Sequence, residues 1–172
     1  CSILGAAPKA PVQHSIMVAV RTAYRNFDVG FKLAATQRKE SLKQKISLIT
    51  AAIDPMQPLN AYFALGKLGA WSNRYEENYC GETTKQADRD MSTDRLLVEW
   101  DLRAKEVDRR MESGPPRHDL KKEMKRHTII NRLEETSPGL QKPSSTKLNC
   151  SEDAFLFEVP YNLTEIKHRD LG

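Results

Sequence analysis

Apolar residues recur at steps of three and four along much of the chain. Ile16, Met17, Val20, Tyr24, Phe27, Phe31 and Ala34 form one such series, and Leu97, Trp100, Ala104, Val107 and Met111 form another. That spacing places side chains on one face of a helix, so each series predicts a helix burying a stripe against its neighbours. The first helix is expected over residues 13–36, with Gly30 as its weak point. Leu42, Ile46, Ile49 and Ile53 change phase, which reads as a second helix or as the first continued after a bend. Asp54-Pro55 ends it, because the residue before proline avoids helical angles and proline carries no amide donor.

Pro58 suits the first turn of a third helix, followed by an aromatic run through Tyr62, Phe63, Leu65, Leu68, Trp71 and Tyr75. Gly66 and Gly69 allow close helix approach there, or mark a local break. Cys80-Gly81 reads as a stop. Ser92 or Thr93 caps a fourth helix that Gly114-Pro115-Pro116 terminates, and a fifth runs over 117–135 to Ser137-Pro138-Gly139. From Leu140 the chain turns to Pro, Ser, Thr and Asn, then ends in an apolar extended segment, Phe155-Leu156-Phe157-Glu158-Val159, with no evident strand to pair with.

The expected fold is therefore all-α, a bundle of four or five helices over residues 13–139, with residues 1–12 as a tether or irregular start and 140–172 as an irregular C-terminal arm. At 172 residues, one core is large enough to fold without a metal or disulfide framework. No apolar run approaches the about 18 residues of a membrane-spanning helix. Cys1-Ser2 and the small, proline-bearing stretch after it resemble the mature start of a bacterial lipoprotein, whereas a boundary inside a longer product explains the same residues. Cys1, Cys80 and Cys150 lack metal-ligand spacing; Cys80 with Cys150 is the pairing that leaves Cys1 free, and free thiols are the simpler account. Asn149 and Asn162 fit the glycosylation acceptor pattern, which matters only in a secretory compartment, and the sequence names no compartment.

Charge is uneven. Residues 1–53 hold eight Lys or Arg against two Asp or Glu, a surplus of six, while the whole chain carries +4, so the remainder is net acidic by two. Lys32, Arg38, Lys39, Lys43 and Lys45 surround the change of helical phase and form the candidate anion-binding set, for phosphates, anionic lipid or an acidic protein surface. A solvated helix face explains the same charges. A second cluster, Arg117, Lys121, Lys122, Lys125, Arg126 and Arg132, is interleaved with Asp119, Glu123, Glu134 and Glu135, which weakens a nucleic-acid reading.

Asp119, Glu123 and His127 share a helical face, yet ion pairing with Lys122 and Arg126 accounts for them without a metal, and no cofactor is expected. No nucleophile elbow, metalloprotease helix or phosphate-cradling glycine loop is present, so the positive case for an enzyme is nearly empty. The leading expectation is a noncatalytic interaction module that docks a protein partner or a second copy through its basic first region or through the apolar arm, Phe155, Leu156, Phe157 and Val159. The alternatives are an anion-binding protein on nucleic acid or an anionic membrane surface, and a small enzyme whose site is assembled only in three dimensions.

Overall fold

The computed structural model describes residues 1–6, 11–81, 93–138, 140–161, 163 and 166. It overturns the all-α bundle: the fold is mixed α/β. The described residues cluster into two compact units, one of residues 1–55, 59–81 and 93–116, the other of residues 56–58 and those from 117 onward.

The first unit is built on a five-stranded sheet in the order β1-β2-β3-β5-β4, with β1 Ser2–Ala6, β2 Pro11–Ser15, β3 Leu48–Ile53, β4 Trp71–Glu76 and β5 Arg95–Asp101. Only β2 and β3 run parallel, in the register Val12↔Leu48 to Ser15↔Ala51; the other pairs are antiparallel. Parallel neighbours need a crossover, here helix α1, Val29–Lys43. Ser41 of α1 is buried and its hydroxyl donates to Gln13 of β2 at 2.5 Å, tying helix to strand.

The expected helices fail where short apolar runs fit two periods at once. Leu96, Val98 and Trp100 alternate inward along β5, and β-branched Ile49, Thr50 and Ile53 favour the strand that β3 adopts. In the first expected helix, Ile16, Met17 and Phe27 are 52%, 61% and 68% exposed, so no buried stripe exists to hold it. Asn26 and Asp28 take left-handed backbone angles that stop any helix there, and Gly30 lies in the first turn of α1 rather than mid-helix. Lys45, with φ of 61°, turns the chain from α1 into β3.

After β3, helix α2, Pro58–Ala61, continues into a π-helical turn, Tyr62–Lys67, which ends at Gly69, where φ is +74°. Trp71 to Tyr75, expected on the same helix, instead lie in β4. Helix α3, Lys105–Ser113, keeps the latter half of its predicted helix and buries Val107. The core packs Ile49, Leu68, Val98, Trp100 and Val107 around Leu102, which is fully buried.

The second unit contains α4, Leu120–Arg126, β6, Thr128–Ile129, the hairpin β7, Asn131–Ser137, with β8, Leu140–Thr146, and β9, Phe155–Leu156. Asp119 caps α4 by accepting from the amides of Lys121 and Lys122. The fifth predicted helix thus stops at Arg126, and 128–129 and 131–137 are strand. The C-terminal segment has a pairing partner after all: β9 runs parallel to β6, with Thr128↔Phe155 and Ile129↔Leu156.

Candidate functional site

β2 leaves the parallel ladder at Ser15, while β3 continues to Ile53 alongside β5. Beyond Ser15 the chain follows β1 instead: the amides of Ile16 and Met17 donate to the Cys1 carbonyl at 3.0 and 3.3 Å. The two parallel strands therefore part at their carboxyl ends, where open α/β sheets place ligands. A cleft of about 430 Å³ fills the gap, walled by Ser15–Val18 on one side and Thr50–Asp54 on the other. Its floor is apolar, from Ile49, Ala64, Leu68 and Val98, with polar groups from Gln37, Asn60 and Arg95.

A second cavity of about 320 Å³ shares Val18, Asn60 and Phe63 with the first and reaches the start of α1. Tyr24, Arg25, Phe31, Tyr62 and Lys67 also line it. The first turn of α1 contains no acidic residue, and Asp28 at its N-cap, with φ of 57°, makes no side-chain cap. Opening amides without a cap, at the positive end of the helix dipole, favour an anion.

Asp28 is engaged elsewhere, paired to the ammonium of Lys67, and that hydrogen bond followed by the lysine charge holds its carboxyl below the usual range. The same ammonium sits 5.4 Å from the centre of the Phe31 ring. Arg25 Nε donates to the Val20 carbonyl at 3.2 Å and braces the loop.

The five basic residues singled out from the sequence all lie on α1 or just after it, without converging. Lys32 is in the first turn and Lys45 beyond the last, about 20 Å apart at 1.5 Å per residue. Arg38 donates to the Leu102 carbonyl from Nε and Nη2, at 2.9 and 2.6 Å, and pairs with Asp108, so its charge is committed to the fold. Lys43 pairs with Glu40 at 2.8 Å, whereas Lys39 and Lys45 are exposed. Sequence reading passed over Arg25, Asn26, Asp28 and Lys67; the one signal available was Gly30 next to Asn26-Phe27-Asp28, a turn-forming cluster inside an apparently helical run.

In the second unit, Leu156 and Val159 are half-buried, while Phe155 and Phe157 are each 52% exposed. Asn131 clasps Glu158: its Nδ2 donates to the Glu158 carbonyl at 2.8 Å and its Oδ1 accepts the Glu158 amide at 2.7 Å. His127 and Glu123 lie 3.4 Å apart, and among the described residues no three His, Cys, Asp or Glu gather in a metal-holding group. Cys1, Cys80 and Cys150 are all free thiols. Asn162 lies outside the described residues. Among the described residues, no helix is long and apolar enough to cross a membrane.

Comparison with known protein families and with curated proteins finds no match to the sequence. Among solved structures, a chain in the crystal structure of the NatC complex bound to Gag peptide and CoA is similar over part of its length, at a TM-score of 0.45 and 14% identity. The alignment covers 58% of this chain and 57% of that one. A likeness of that extent carries no functional weight.

Proposed function

We propose that the first unit binds an elongated ligand of the phosphopantetheine class: a phosphate joined to a linear, amide-bearing arm that ends in a thiol or thioester. The observation that carries this reading is the parting of β2 from β3 at Ser15↔Ala51 while β3 runs on to Ile53. A cleft walled by diverging strand backbone over an apolar floor suits an arm whose amides pair as a strand would. The uncapped start of α1, in the adjoining cavity, suits the phosphate. Both cavities fall within the ordinary size of small-ligand sites, roughly 300–1,000 Å³.

Calorimetric titration with 4′-phosphopantetheine tests the reading. Saturable binding is expected, weakened at least tenfold by Val18→Trp, because Val18 lines both cavities and is 49% exposed, so the bulkier ring obstructs the cleft without disturbing the core. Absence of saturable binding overturns it.

A second reading concerns the other unit. Phe155 and Phe157 stay half-exposed although Leu156 between them turns inward, and this supports docking of a second copy on that edge. Sedimentation equilibrium of the protein and of a Phe155→Ser/Phe157→Ser variant tests it: a dimer lost in the variant supports docking, and a monomer in both rules it out.

A further inference from the structure

The two edges of the five-stranded sheet are unlike. β4 carries Arg74 and Glu76, paired at 2.7 Å, and its register with β5 shifts between Trp71 and Arg74. Charge and irregularity of that kind keep an edge from recruiting another strand. β1, at the opposite edge, reads Ser2-Ile3-Leu4-Gly5-Ala6, with no charge, no proline and no break in its pairing to β2. We infer that β1 is an interface at which two copies of this chain join antiparallel, with Leu4 of each on the two-fold axis.

Hydrogen-bond parity along β1 fixes which backbone groups are free. The Cys1 carbonyl accepts from the Ile16 amide at 3.0 Å, so Cys1 faces β2. Alternation along an antiparallel strand turns Ile3 and Gly5 the same way and points the amides and carbonyls of Ser2, Leu4 and Ala6 outward. Pro11, which has no amide to give, stands opposite Ala6, in agreement with that alternation. Among the described residues, no strand lies against the outward groups.

An antiparallel partner centred on Leu4 meets all of them, Leu4 against Leu4 and Ser2 against Ala6, with both bonds exchanged at each pair. The segment is thus its own complement, which is what an interface between like subunits about a two-fold requires. Its side chains agree. Ile3 falls opposite Gly5 of the second copy, where, among the described residues, an added Cβ meets only the Val12 carbonyl oxygen, at 3.7 Å, so the branched side chain enters open space. Leu4 and Ile3 are 64% and 59% exposed on opposite faces of the strand, and pairing covers both. The strand is also held ready: Gln13 donates to the Ser2 hydroxyl at 2.6 Å and accepts from the buried Ser41 at 2.5 Å, which ties β1 through β2 to α1.

Sedimentation equilibrium of the full chain carrying Phe155→Ser/Phe157→Ser reads this edge apart from the one in the other unit, and a dimer is expected. Leu4→Pro removes the central outward amide without taking a bond from β2, and Leu4→Lys sets like charges side by side on the axis. Each should weaken the dimer at least tenfold, while Asn73→Lys, on exposed β4, should leave it unchanged. Thermal denaturation shows whether each variant is folded, and Leu4→Lys, which alters an exposed side chain, decides the matter if Leu4→Pro unfolds. Residue-resolved amide exchange reports the register: exchange at Leu4 should slow as protein concentration rises, and exchange at Ile3 should not respond. A monomer at every concentration overturns the inference, even if a foreign peptide occupies that edge. A dimer indifferent to Leu4→Lys, or one weakened by Asn73→Lys instead, overturns it as well.

Discussion

The indole nitrogen of Trp100, on the sheet's β5, donates to the carbonyl of Leu68 at 3.0 Å, at the close of the π-helical turn. Trp100 is 5% exposed and Leu68 is 7% exposed, so the bond forms inside the core and sets the height of the turn above the sheet. The same residues line the floor and wall of the cleft. Trp100→Ala is therefore expected to cost about 3–5 kcal/mol, and Trp100→Phe less, since it fills most of the volume but leaves the Leu68 carbonyl without its donor. The denaturant midpoints of the two variants check both the magnitude and the order.

Arg38 and Lys39 are neighbours in sequence and unlike in consequence. Leu102 is fully buried, and its carbonyl takes both hydrogen bonds from the Arg38 guanidinium, so Arg38→Ala should cost about 1–3 kcal/mol. Arg38→Lys recovers only part of this, for lack of a planar fork. Lys39→Glu, on the exposed side of α1, should change stability by less than about 0.5 kcal/mol. Chemical denaturation of the three variants separates a structural cation from a solvated one.

The phenol of Tyr75 donates to the carboxylate of Asp94, and that bond, then desolvation, pushes its pKa up to about 12. The same bond, with a further one from the Asn78 amide, lowers the pKa of Asp94. Because the folded phenol holds its proton more tightly than an unfolded one near pH 10, its contribution is whole below pH 10 and disappears as pH rises through about 12. Asp94 acts at the other end: its contribution is present above the ordinary carboxylate value and is lost as pH falls through its lowered one. Alkaline absorbance titration should show one of the five tyrosines ionising last, and Asp94→Asn should return it toward 10.

The clasp between Asn131 and Glu158 holds the C-terminal segment beside β6 and β7, and Glu158 also accepts from Arg132 at 2.9 Å and from the Leu133 amide at 2.8 Å. Asn131→Ala should accelerate amide exchange at Glu158 and, with it, at Ile130, whose amide donates to the Leu156 carbonyl. Deletion from Ser151 onward should loosen the pairing partner β6 as well. Unchanged exchange at residues 155–159 in Asn131→Ala would show that the segment is fastened elsewhere.

What the sequence disclosed was burial, and less often the element that does the burying. Ile49, Leu68, Trp100 and Val107 were all marked as core positions and all are buried, because apolar recurrence reports the need to leave water. Trp100 satisfies a helical step from Leu97 and a strand step from Val98 equally well, and only sheet pairing with Ile49 decides between them. That pairing joins residues 51 apart in sequence, beyond any local pattern. The cleft was illegible for a related reason: Ser15 and Ala51 acquire meaning only where two distant strands part. Arg38 misled because a charge in a helical run looks solvated until the carbonyl it serves, 64 residues on, is in place.

The order β1-β2-β3-β5-β4 puts the last strand of that sheet between two earlier ones. During synthesis β3 emerges with one backbone edge destined for β5 and must wait, unpaired there, until Asp101 has cleared the ribosome. At about 5–20 residues per second, that interval lasts seconds, long compared with the microseconds in which a hairpin forms. An unpaired strand edge is a template for other chains, so that interval is when the sheet is most open to pairing outside the molecule.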